Sequence, residues 1–493
     1  MSVWLALSPL LAMVATGLVA MLVDVLVRSP ASDADTRGDL AIITTVGLFA
    51  SAALALGLWG SGPSVALPES LGGVVAVDRF GLFFAATIGL GGGLSALIAG
   101  GYLAEHGIER GEYYPLIAFS CAGAALMAMA TDLLVLFVGL ETMSLAVYCL
   151  AGFRRGSRKS LEGALKYFLL GSFAAAFLLF GIALLYVLAA STRIAEISEA
   201  LRGAAGSSPI AVLALVLLLT GLGFKISAVP FHMWTPDAYE GAPTPVTAFM
   251  SVVVKAAAFA ALLRVLLVAF GGTALGASVG WPQIVAFFAV ASMSVGNLVA
   301  IWQKNVKRML AYSSIAHAGY VLVGVLAAWK GAPEGRAGVL FYLLSYTVMN
   351  IGAFACVAYF GRRDAEAVHT SDFAGVARQH PAAALALATF MVALTGMPPT
   401  AGFFAKLYVF RSAIDAGLWP LVVVAVLNSA VSAYYYLNLV VTMYMRSPEP
   451  GAPVAQPMRS GAIATAIVIC ALLVLHLGIW PSRLLSMALE AGW

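Results

Sequence analysis

Charge is what this 493-residue sequence has least of. Asp, Glu, Lys and Arg together make 10% of it, against about 25% in an ordinary soluble chain, while 62% is hydrophobic and the mean hydropathy is +0.96. That balance excludes a soluble globular protein. The apolar excess runs the whole length, so it also excludes one anchor attached to a globular domain. Basic clusters are missing too: the net charge is +4 and no basic run exceeds a loop, which argues against nucleic acid as a partner. Cysteine is confined to Cys121, Cys149, Cys356 and Cys470, far apart and each within an apolar stretch. No disulfide framework, iron–sulfur or zinc ligand set follows from them, and they read as small core residues. There is no P-loop and no GxGxxG opening a helix after a strand. The run Gly89-Leu-Gly-Gly-Gly93 lies inside an apolar span and reads as close helix packing. Redox and nucleotide chemistry therefore lie elsewhere, and the chain itself is expected to bind no cofactor and no metal.

What is there is a succession of apolar runs. A bilayer core about 30 Å thick needs about 20 apolar residues per helix. Fourteen runs qualify, approximately 3–27, 40–60, 80–103, 113–130, 132–151, 164–190, 209–228, 246–270, 282–302, 308–329, 337–360, 382–410, 418–445 and 461–480. The expected fold is an all-α polytopic membrane protein whose partners include lipid. The first run has no basic n-region and no small-residue cleavage pattern before Asp24, so it reads as a retained helix rather than a signal peptide. Counting Lys and Arg in alternate loops sets the orientation. Loops after odd-numbered helices hold fifteen: Arg28, Arg37, Arg110, Arg154, Arg155, Arg158, Lys159, Lys304, Lys307, Arg308, Arg362, Arg363, Arg378, Arg446 and Arg459. Loops after even-numbered helices, with the C-terminus, hold seven: Arg79, Arg193, Arg202, Lys330, Arg336, Arg411 and Arg483. The odd loops are then cytoplasmic and both termini external.

Four ionisable residues fall deep in these runs: Glu141 in the fifth, Lys225 in the seventh, Lys255 in the eighth and Lys406 in the twelfth. Each central charge costs roughly 2.5–3.5 kcal/mol even on a lenient insertion scale, on the order of 10–14 kcal/mol together. Static ion pairs would offset that cost, but three lysines cannot all pair with one glutamate, so a function is the better account. Lys166 and Arg264 differ, because each lies near a helix end where it can snorkel, and Lys166 has Glu162 at i−4.

Two of the lysines adjoin helix breaks. Lys225 precedes Pro230 and Pro236, and Lys406 follows Gly396-Met-Pro398-Pro399. Proline removes an amide donor and clashes with the preceding turn, and unwound backbone at membrane depth is tolerated only when buried in protein or lining a wet cavity. Paired interruptions five helices apart are the pattern of inverted repeats with sites at the midplane. The expected organisation is a three-helix segment (1–112), a first inverted repeat of helices 4–8 (113–270), a second of helices 9–13 (271–445) and a terminal helix 14 (446–493). Helices 7 and 12 are then equivalent, and Lys225 and Lys406 are partners by symmetry. His317, inside the tenth run beside Tyr312, Ser313 and Ser314, is a possible relay, or a satisfied packing histidine. His232 and Asp237, after the first break, could admit protons from the cytoplasmic side or cap loop structure.

The segment from Phe224 to Phe249, with Lys255 after it, resembles the antiporter-like membrane subunits of respiratory complex I, the bacterial NADH–quinone oxidoreductase. Leu140–Ser144, Ala164–Ser172, Lys307–Tyr320 and Gly396–Lys406 carry further resemblance, strong over helices 5 to 12 and by helix count alone at the ends. Within the family the wording is closest to the N branch, with lysine at 406 where the M branch is expected to carry glutamate. The L branch shares the lysine but carries a long lateral helix, for which no room is expected after residue 480.

The resemblance implies a non-redox subunit of a proton-translocating enzyme, coupled to quinone reduction elsewhere in the complex. Its partners would be other antiporter-like and small helical subunits, with protons and water in its path. NADH, FMN, iron–sulfur clusters and quinone would belong to other subunits, and the site would be the bacterial inner membrane. It also implies that Glu141 pairs with Lys225, Lys255 bridges, and Lys406 exchanges protons with the far side. Two alternatives are a subunit of a multisubunit cation/proton antiporter or membrane-bound hydrogenase, and a structural subunit that no longer pumps.

Overall fold

The computed structural model describes residues 3–26, 38–62, 64–65, 67, 71, 73–273, 275, 280–362, 365–448 and 455–491. Arg28, Arg37 and Arg363 of the orientation count lie outside these residues. Helices dominate: α1 (Ser8–Leu26), α2 (Gly38–Leu58), α3 (Arg79–Glu105), α4 (Tyr113–Met129), α5 (Leu133–Ala151), α6 (Arg158–Ala189) and α7 (Pro209–Lys225). They continue with α8 (Thr244–Ala269), α9 (Trp281–Ile301), α10 (Val306–Trp329), α11 (Gly335–Tyr359), α12a (Pro381–Thr395), α12b (Ala401–Asp415), α13 (Trp419–Met445) and α14 (Gly461–Ile479). Among the described residues, eleven helices are long and apolar enough to cross a membrane, and α4, α7 and α12a are shorter apolar helices. The chain is a multi-pass membrane protein. Two antiparallel ladders of two residues each, Ser64–Val65 with Val77–Asp78 and Gly361–Arg362 with Ala365–Glu366, sit in connecting loops.

Side-chain size and polarity sort the helices into a centre and a rim. The apolar windows of α10 and α11 are 94% buried and that of α8 is 89% buried, whereas those of α1 and α13 are 28% buried. A helix apolar all round and buried all round belongs to the middle of a bundle, and Lys255 and His317 ride on these central helices. Close backbone approach holds the first half together. A Cβ on Gly123 would come within 2.5 Å of the Met143 amide nitrogen, and one on Gly139 within 2.7 Å of that of Met127, so α4 and α5 can touch only through glycine. This contact sets the position of the helix that bears Glu141. The run at 89–93 acts likewise: a Cβ on Gly89 would lie 2.8 Å from the Leu48 carbonyl oxygen of α2.

The proline-rich segments interrupt two helices. After α7 ends at Lys225, a series of turns leads to a short helix, Thr235–Gly241, before α8 begins. After α12a ends at Thr395, Gly396 takes a φ of +90°, open to glycine and costly for other residues, and α12b resumes at Ala401. The Val229–Pro230 and Pro398–Pro399 bonds are cis.

Two expectations are corrected. Arg264 does not snorkel: it is 5% exposed, its guanidinium lies 2.7 and 2.9 Å from the two Asp78 oxygens, and its Nε donates to the Ala128 carbonyl at 2.9 Å. A planar fork with carboxylate and carbonyl partners can be buried where a lone cation cannot. Of the cysteines, Cys149 is exposed on α5 and only the other three are buried, because its face of the helix points away from the bundle. Lys166 does pair with Glu162, at 2.7 Å.

Candidate functional site

Among the described residues, each buried lysine is held by neutral groups rather than by a carboxylate. Lys225, 1% exposed, ends α7 and donates to Ser144 Oγ at 2.7 Å and Tyr148 Oη at 3.1 Å. Its ammonium stands 5.1 and 5.6 Å from the ring centroids of Tyr148 and Tyr167, a distance at which ring faces attract cations. Ser144 and Tyr148 lie three and seven residues after Glu141, on one stripe of α5. The structure therefore brings Lys225 to the helix of Glu141, but no ion pair within 4 Å joins the two among the described residues. Glu141 is partly exposed, and its Oε1 is buried without a hydrogen-bond partner.

Lys255 follows a π-helical turn, Met250–Val254, an irregularity frequent at functional sites. Its ammonium donates to both the backbone oxygen and the hydroxyl of Ser314. On the same face of α10, His317 is 4% exposed; its Nδ1 is 2.6 Å from Tyr342 Oη and its Nε2 is 3.1 Å from Tyr436 Oη. Tyr436 Oη also meets Ser313 Oγ. Three residues beyond His317, Tyr320 offers its ring to Lys406 Nζ at 5.1 Å. Lys406 donates to the Thr395 carbonyl at 2.7 Å and to Ser429 Oγ at 2.6 Å. Thr395 is the last residue of α12a, where carbonyls lack helical partners, so the lysine caps the break it stands beside. At 1.5 Å rise per residue, Ser314 and Tyr320 are about 9 Å apart along α10. That face thus carries Lys255, His317 and Lys406 in order.

The groups after the first break lie apart from this series. His232 is partly exposed, with Nδ1 buried and unpartnered. Asp237 spends both oxygens, one at 2.6 Å from Lys166 Nζ and the other at 2.6 Å from Arg308. Burial works to raise the pKa of this carboxyl, but the hydrogen bonds from Lys166 and Arg308 outweigh it and hold it below the usual carboxylate range. Glu240 joins the same cluster through Lys159, at 2.8 Å, and Arg308, at 3.0 Å.

Sequence reasoning missed Tyr148, Tyr342, Tyr436 and Ser429. Each is an ordinary residue of an apolar helix until another helix brings a titratable group to its hydroxyl. The only signal was indirect: buried lysines must find acceptors, and hydroxyls are the commonest ones inside apolar helices.

A bundle with broken helices, each break adjoining a buried lysine, and with a further lysine and a histidine between them, defines the class of antiporter-like membrane subunits. Residues 130–432 match the family described as NADH:quinone oxidoreductase/Mrp antiporter, TM. The chain is 52% identical, over 99% of its length and 98% of the relative's, to NADH-quinone oxidoreductase subunit N 1 of Sorangium cellulosum (strain So ce56). Among solved structures, a chain of respiratory complex I from Thermus thermophilus with bound aureothin is 38% identical, with a TM-score of 0.79 and coverage of 98% of this chain and 100% of that one. A chain of the Mrp complex from Dietzia sp. DQ12-45-1b superposes with a TM-score of 0.84 over 99% of this chain and 97% of that one, at 23% identity, and shares the fold. The chain belongs to the subunit N family of NADH-quinone oxidoreductases.

Proposed function

We propose that this chain is the proton-translocating, antiporter-like membrane subunit N of an NADH–quinone oxidoreductase, and that Glu141, Lys225, Lys255, His317 and Lys406 carry its protons. It is a non-redox subunit of a translocase; NADH, FMN, iron–sulfur clusters and quinone act in other subunits. The observation that carries the proton path is the face of α10, which sets Ser314, His317 and Tyr320 between two buried lysines with no carboxylate within 4 Å among the described residues. Desolvation favours a neutral buried amine, and an approaching carboxylate favours the protonated one. A modest change in the Glu141–Lys225 separation would therefore shift proton occupancy at Lys225 and, through it, along the series. Water fills the gaps between the named groups. His232 serves as the cytoplasmic entry, and Asp237, tied to Lys166 and Arg308, is the fixed charge beside it.

In this reading the chain crosses the bacterial inner membrane fourteen times with both termini external. Helices 4–8 (113–270) and 9–13 (271–445) form the inverted repeats, flanked by 1–112 and 446–493. The two breaks support it, since α7 and α12 are each interrupted beside a lysine. Residues 226–234 and 396–400 leave the helical path; Ser227, Ala228 and Thr400 are buried there, while Pro230, Met233 and Met397 to Pro399 are exposed on the chain's surface. The test is proton translocation by the intact complex in proteoliposomes. Glu141→Gln and Lys225→Ala should each lower proton translocation and coupled quinone reduction severely while the complex still assembles. A normal proton-to-electron ratio in either variant refutes the relay.

A further inference from the structure

Away from the lysine series, the ends of α2, α3 and α14 enclose a cavity of about 800 Å³, within the range of about 300–1,000 Å³ typical of small-molecule sites. Its walls are Ala52 and Leu56 of α2, Phe83 to Leu90 of α3, Leu344 of α11, and Leu473 and Leu477 of α14. Its roof is a separate helix, Ser482–Glu490, which places Leu484 and Met487 over the cavity and Arg483 at the rim. On α3 the lining runs from Phe83 to Leu90, and from Leu473 to Trp480 at α14, seven residues each and about 10 Å of helix. That reaches about two thirds of the way through one leaflet, half of a hydrocarbon core about 30 Å thick. Trp59 and Trp480 line the mouth, as tryptophans do at a membrane–water interface.

The polar end is electrically lopsided. Glu490, the acidic group of the rim, is taken up by Arg79 at 3.1 Å and by the indole of Trp59 at 3.2 Å. Arg483 is exposed and has no carboxylate within 4 Å among the described residues. A slot about 10 Å deep, lined mainly by apolar side chains with Thr87, His476 and Ser486 among them, and with a guanidinium at its rim that no carboxylate matches among the described residues, has the shape and charge of a lipid site. We propose that it holds one anionic glycerophospholipid of the adjoining leaflet, an acyl chain between α3 and α14 and the phosphate on Arg483. Guanidinium binds phosphate through two parallel hydrogen bonds.

Photoactivatable phosphatidylglycerol, with phosphatidylcholine bearing the same acyl chain as control, tests this on the intact detergent-purified complex. Phosphatidylglycerol should label peptides spanning 83–90 and 473–477 severalfold above the control, which carries the same phosphate but adds a choline ammonium that Arg483 repels. Arg483→Ala should lower that labelling about tenfold, Arg483→Lys should keep a substantial part, and Ala86→Trp, which fills the slot, should abolish it, with quinone reductase activity unchanged in all three. Equal labelling by both lipids, or labelling indifferent to Arg483→Ala and Ala86→Trp, overturns the proposal. So does recovery of another subunit cross-linked through these peptides, which makes the cavity a protein contact.

Discussion

Replacing Lys406 separates packing from proton transfer, because three substitutions affect the two differently. Its ammonium donates to the terminal carbonyl of α12a, at Thr395, and to Ser429, and it is 6% exposed. Methionine removes a central charge costing roughly 2.5–3.5 kcal/mol but strands a buried carbonyl, at about 1–3 kcal/mol, so the two changes nearly offset. Glutamine keeps an amide donor for the Thr395 carbonyl and should alter stability by no more than about 1 kcal/mol. Glutamate has glutamine's shape and differs from it by one titratable proton. If Lys406 carries protons, the Glu variant should retain more translocation than either the Gln or the Met variant, while all three complexes assemble. The assay is acidification of proteoliposomes, followed by a pH-sensitive dye and normalised to NADH oxidised. A Gln or Met variant that pumps at the wild-type ratio makes Lys406 a helix cap and nothing more, and the path must then leave the membrane elsewhere.

Tyr436→Phe keeps the ring and removes the hydroxyl that meets His317 and Ser313. Losing a neutral hydrogen bond worth about 0.5–1.5 kcal/mol should slow translocation about two- to tenfold in stopped-flow acidification, and an unchanged rate removes Tyr436 from the path. Topology is checked by reporters: one inserted after Arg155 should read cytoplasmic and one at Gly203 external, and the opposite pattern reverses the direction of transport.

How far the sequence reached depended on the range of the interaction concerned. Helices were legible because twenty apolar residues in a row are a local property, and the interruptions were legible because Pro230 and the Gly396–Pro399 run break a helix wherever they stand. The burial of Lys225, Lys255 and Lys406 followed from their positions in those runs. Their partners did not. Reasoning in opposite charges looked for carboxylates, and the bundle supplies Ser144, Ser314, Ser429 and a helix-end carbonyl instead. Arg264 failed for a related reason: its partner Asp78 is 186 residues away, so nearness to a helix end was the only cue, and it pointed outward to water. The short helix Ser482–Glu490 also escaped, because nine residues that are apolar on one side resemble a loop when only long apolar runs are counted. The His317–Tyr436 contact joins segments 119 residues apart, and no spacing rule on either helix announces it.

Lys255 links the two halves of the series: it stands on α8 of the first proposed repeat and binds Ser314 on α10 of the second. The most direct measurement is therefore the number of protons moved per NADH oxidised by the intact complex in proteoliposomes, with Lys255 replaced by methionine and assembly verified. The account predicts a clear fall in that ratio while the redox arm can still reduce artificial acceptors at the wild-type rate. An unchanged ratio at wild-type turnover contradicts it, and would mean that protons cross the membrane without passing along this chain's buried lysines.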